Sequence, residues 1–169
     1  NINLNRHSFR NAACRYGTWF VAMDLIPRKV DMPIEYTVHY HGTLVYAKAH
    51  GALTDRDLVE HERALMADDR LVVGFRQLLD CRWGSDDQIS DGVFRTLSEV
   101  HDQAGSKVTG SRYAIVAQSA WWFRAGSRYR GNQCRMTVIV FNDPSTACIW
   151  LGIDYMELVA SRSGEPPPV

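Results

Sequence analysis

Oxygen-bearing side chains crowd the stretch "LLDCRWGSDDQISDGVF", residues 78–94, where Asp80, Asp86, Asp87, Ser90 and Asp91 follow one another closely. Such a set could hold a hard cation. Calcium loops, however, place acids at alternate positions, then glycine, then a late glutamate, and that order is missing here. Ser90 offers a different chemistry. A serine just ahead of a helix accepts a hydrogen bond from an orphan backbone N–H, worth about 1 kcal/mol. A phosphate on it would meet the same N–H groups and the positive end of the helix dipole. Asp86, Asp87 and Asp91 would repel the roughly two negative charges so added. The residues alone favour a structural cap over a switch.

The histidines His39 and His41 would share a strand face, with His50 and His61 near in sequence, a spacing that zinc can use. Without a supporting Cys or Glu set they read as exposed hairpin residues. Cys14, Cys81, Cys134 and Cys148 are widely separated and form no C-x-x-C pair, as expected of reduced thiols. No nucleophile elbow and no Gly-rich phosphate loop is present. No metal and no cofactor is therefore expected. The stretch "SAWWFRAGSRYRGNQCR", residues 119–135, is the other unusual one. Trp121, Trp122 and Phe123 could pack into a core or line an apolar pocket, with Arg124 or Arg128 neutralising an acidic headgroup at its rim. They could equally form a protein-contact surface.

The elements that must position these residues follow from periodicity. "IEYTVHY" and "LVYAKAH" are β-rich runs around His41-Gly42-Thr43, predicting a hairpin. Thr54 and Asp57 have capping-box spacing, and Leu58, Val59, Leu65 and Met66 recur on one helical face. A short strand is expected to end near Asp80, followed by a loop to Ser90. Val93, Phe94, Leu97, Val100 and Ala104 then have 3-4 spacing. "YAIVAQ" and "TVIVF" read as buried parallel strands. Asp143 and Pro144 open a last helix with Ala147, Trp150 and Leu151 on one side. The order ββαβαβ(α)βα predicts an α/β fold, an open mixed sheet of about five strands covered by helices. Ligands on such sheets sit beyond the carboxyl ends of the parallel strands.

Residues 1–33 are expected to be a loosely packed or disordered extension, 34–157 the domain, and 158–169 a disordered Pro-rich tail. The chain opens on Asn1 without an initiator methionine, as a fragment or a misplaced start would. Lys plus Arg and Asp plus Glu balance at 19 each, which argues against nucleic acid as a partner. The balance hides a division: residues 54–102 carry twelve acids and six bases, and residues 103–142 carry six bases and no acid. No apolar run is long enough to span a bilayer, so stable membrane insertion is not expected.

"AHGALTDRDL", "LLDCR", "YAIVAQ" and above all the closing "VIVFNDPSTACIWLG" resemble the SpoIIAA-like branch of the STAS superfamily, the STAS/SEC14-like domains, over residues 35–153. The resemblance implies a non-enzymatic, cytoplasmic, bacterial regulatory module with a protein partner. It places Asp80 at a strand end and Ser90-Asp91-Gly92 in the turn whose serine a partner kinase modifies. Asp91 departs from the family pattern, which has a second serine there. The likeness to SEC14-type lipid binders implies an alternative, a carrier or sensor of a small lipophilic anion, and an enzyme comes third. The working surface expected is Asp80, Ser90, Asp91 and Gly92 with Trp121, Trp122, Phe123, Arg124 and Arg128. The oligomeric state is not indicated.

Overall fold

The structure, a computed structural model, describes residues 33–129 and 135–163. The expected N-terminal extension lies, apart from Pro33, outside the described residues. Ile34–His39 (β1) and Leu44–Thr54 (β2) pair antiparallel. Between them Tyr40 and His41 adopt left-handed backbone angles, φ 49° and 54°. His41 thus leaves the strand, and the expected common face with His39 does not form. Gly42 at φ 87° is required, because a Cβ there would lie 1.9 Å from the Arg70 carbonyl oxygen.

Asp55–Ala67 (α1) starts at the expected capping box, the Thr54 hydroxyl accepting from Asp57 N and the Asp57 carboxylate from Thr54 N at 2.8 Å. Arg76–Gln88 (β3), Val93–Ala104 (α2), Ser111–Val116 (β4), Ala120–Tyr129 (α3) and Met136–Phe141 (β5) follow. Pro144–Leu151 (α4) is capped by Asp143, which accepts from Thr146 N, and is closed by left-handed Gly152. Tyr155–Ser163 (α5) carries the fold past the boundary expected at 157, since Leu158 is buried against α4 and the sheet.

The strands lie in chain order, β1-β2-β3-β4-β5, parallel from β2 onward. Right-handed crossovers then place α1, α2 and α3 on one face. The packing agrees: Leu58, Leu65, Leu97, Val100 and Trp122 share a core with Val45, Leu79, Tyr113 and Val138. The opposite face carries α4 and α5, whose Ala147, Leu151 and Leu158 pack on Leu44, Tyr46, Leu78 and Val116. Two arginines fasten α4 at its C-terminal end. Arg76 donates to the Leu151 and Gly152 carbonyls at 3.0 and 3.2 Å, and Arg112 to those of Trp150 and Leu151. The α/β layout expected from periodicity is met.

One element differs. β3 does not end at Asp80 but runs to Gln88. As far as Asp80 it is flanked by both β2 and β4; beyond that it pairs with β2 alone. A bulge shifts the register from Lys48↔Asp80 to His50↔Trp83, and the ribbon continues to Thr54↔Gln88. Its polar side chains face water while Gly84 closes over Leu53, where a Cβ would approach to 3.0 Å. The segment looks like a loop in composition because a two-stranded ribbon with open faces needs few apolar residues.

Candidate functional site

The extended ribbon decides where the candidate residues fall. Ser90, Asp91 and Gly92 lie past its tip, all three exposed, and well removed along the strand from Asp80. Ser90 is not the helix cap expected: Gly92 holds the N-cap position of α2 and makes no side-chain cap. The Ser90 side chain turns to α1 instead. Its hydroxyl donates to Asp55 Oδ2 at 2.6 Å and its backbone N–H to Oδ1 at 2.7 Å. The same hydroxyl accepts from Gly92 N at 3.2 Å. Asp55 is the first residue of α1, where the helix dipole favours a carboxylate. The serine thus ties the ribbon tip to the start of the first helix.

Asp80 belongs elsewhere. It is buried at the last strand position flanked on both sides and takes a two-pronged bond from Arg82, 2.9 and 2.8 Å, while Arg82 also reaches the Tyr155 hydroxyl at 3.3 Å. Arg82 holds the carboxylate from two residues along the chain and links β3 to α5. That is a structural anchor for a buried charge.

The aromatic run divides along its helix. Trp122 is buried, Trp121 half-buried, and Phe123 and Arg124 face solvent. Of Arg128 only the backbone, within α3, is described. Trp121 meets Trp122 edge-on at 5.0 Å and Phe94 of α2 at 5.6 Å, so aromatic rings close the seam between α2 and α3. Beneath them lies an apolar cavity of about 50 Å³ bounded by Leu58, Leu97, Tyr113, Trp122 and Val138, with Glu62 and His101 in its wall. Arg124 is not among the described residues that line it. A second, polar cleft of about 160 Å³ separates Arg82 and Asp86 of the ribbon from Gln118, Ser119 and Trp122. Across it the Ser119 hydroxyl donates to Asp86.

The expected working surface is therefore three places rather than one. The residues that sequence reasoning missed are Asp55, Arg82, Glu62 and His101. The spacing of Asp80 and Arg82, two apart in a strand and so on one face, was a usable signal for that pair. His61 and His101 are buried in the core, so neither belongs to an exposed histidine set. Burial pushes the Cys148 thiol up to about 11 and raises that of Cys81 further, leaving both unreactive. Among the described residues no three His, Cys, Asp or Glu side chains converge as a metal site. None of the described helices is long and apolar enough to cross a membrane.

Two solved structures are similar to this chain. One is an uncharacterized protein of the DUF3478 family with a SpoIIAA-like fold from Shewanella loihica, 18% identical, with 70% of this chain and 93% of that one covered and a TM-score of 0.48. The other is an anti-sigma factor antagonist from Mycobacterium paratuberculosis, 12% identical, with 72% and 97% covered and a TM-score of 0.45. No protein-family model matches the chain, and no curated protein matches it.

Proposed function

We propose that this chain is a non-enzymatic regulatory module that acts through protein contact, with the ribbon tip around Ser90 as its contact surface. The observation that supports this is the placement of Ser90: an exposed serine whose hydroxyl and N–H are both spent on Asp55. Phosphorylation removes the hydroxyl's proton donor and sets about two negative charges beside Asp55 and Asp91. The tie to α1 would break, and a partner reading the tip would meet a different surface. The acidity that disfavours a phosphate energetically is what would make it consequential.

The test is labelling with radioactive ATP in an extract of cells that express the chain, with mass-spectrometric mapping of the site. Label on the peptide that holds Ser90, absent from Ser90→Ala, supports the reading. Labelling unchanged in Ser90→Ala, or no label on this chain where other proteins are labelled, overturns it.

A second reading, binding of a small lipophilic ligand, is favoured by the apolar cavity beside Trp122. The exposed Arg124 stands off that cavity and so does not supply the headgroup contact expected of it there.

A further inference from the structure

The cavity under α2 and α3 has an unusual wall. Its lining is apolar except where Glu62 and His101 enter, and both are buried, at 7% and 3% exposure. His101 Nε2 lies 2.9 Å from Glu62 Oε2, and the Tyr113 hydroxyl addresses the same oxygen at 3.5 Å. The Glu62 carboxylate also takes a side-chain bond from Gln77, so the wall presents to the cavity an oxygen acceptor held in place by its neighbours. Burying such a pair costs more than well-packed apolar residues of the same volume, and fold stability alone gives no reason to keep it. The lid is also soft in kind. α2 and α3 close over the cavity through the half-buried rings of Phe94 and Trp121, so side chains and not backbone form the cover.

We propose that this cavity is a binding site for a small, mainly apolar molecule carrying one hydrogen-bond-donating head, an alcohol or an amine, that Glu62 accepts. The proposal rests on the ligand reading above and changes its chemistry. A carboxylate or phosphate head would be buried beside the Glu62 carboxylate, a like-charge contact in an apolar site. The ring-lined mouth suits a flat apolar body, while Glu62 sets the sign of the head. At about 50 Å³ the closed cavity is smaller than an aromatic ring needs, so Phe94 and Trp121 must swing aside on entry.

The experiment is a titration of the ¹⁵N-labelled full chain with benzyl alcohol, benzylamine and benzoate, followed by amide and indole NMR shifts. Saturable shifts at Leu58, Leu97 and the Trp122 indole are expected for the alcohol and the amine. Benzoate should bind at least tenfold more weakly. Leu97→Phe and Val138→Phe, which fill the space, should each weaken binding tenfold or more. If one of them loses its circular-dichroism spectrum, the other is read. Benzoate binding in the cavity as well as the alcohol overturns the assignment of the head but leaves the ligand reading standing. Shifts that map elsewhere, or none that saturate, overturn both.

Discussion

The side chain most exposed to a change of conditions is buried: His61. It lies in the core, edge-on to Tyr36 and 3.1 Å from the Gln77 amide. Burial pushes its pKa below the ordinary 6.5, with Glu62 opposing weakly. The folded chain therefore resists a proton that the unfolded chain accepts. Stability is full above about pH 6.5 and falls as the pH drops below it toward the folded value. Beside it, burial would raise the Glu62 carboxyl, but the bond and charge of His101, with help from His61 and Gln77, hold it below 4.5. Its contribution is likewise lost on acidification, beginning below that value. Urea unfolding between pH 7.5 and 5 should show stability falling with pH, and His61→Phe should flatten the upper part of that slope. An unchanged slope in the variant would remove His61 as the cause. None of this was legible in the sequence, where His61 reads as one exposed histidine among several. Its burial depends on β1 and β3 meeting α1, contacts between distant parts of the chain.

Elements with local signals were read well, and those with remote partners were not. α1 and α4 announce themselves by Thr54 with Asp57 and by Asp143 with Pro144, because a cap is a contact between residues three apart. Thr54→Ala should cost about 1 kcal/mol in denaturant unfolding, with the ribbon end loosened as well since Thr54 also pairs with Gln88. The extension of β3 had no such signal. "WGSDDQ" is strand only because β2 outruns β4 and offers an unpaired edge, and Ser90 lost its expected role as a cap with it. The same holds for α3, whose aromatic run left core, pocket and contact surface all open. Its packing turns on a glycine. A Cβ on Gly126 would lie 2.6 Å from Val140 Cγ2 of β5, so Gly126→Ala must displace either the Val140 side chain or the helix. About 1–3 kcal/mol of destabilisation is expected, together with brighter or shifted fluorescence from Trp122. A stability within 0.5 kcal/mol of wild type would contradict that close approach.

Across the whole molecule, the mixed sheet with a leading hairpin was legible because alternation of strand and helix prescribes it. The division of the candidate residues among the ribbon tip, the Asp80 anchor and the α2–α3 seam was not, because it depends on how far each strand runs. The strand order has a further consequence. Each strand lies beside the one made just before it, so an emerging chain can add one β-α unit at a time to a growing edge. Among the described elements α4 and α5 must turn back to the other face, α4 crossing beneath β3 and β4 to be fastened by Arg76 and Arg112. On that order α4, with α5 after it, is expected to dock after the strands. Leu151→Ala, which empties a fully buried position in that helix, should cost about 2–5 kcal/mol. In stopped-flow kinetics the loss should fall on the unfolding arm, with the refolding rate near that of wild type. A refolding rate slowed in proportion to the loss would place α4 in the nucleus instead. On this account the protein assembles vectorially, in the order of its synthesis, and the two arginines act as its latch.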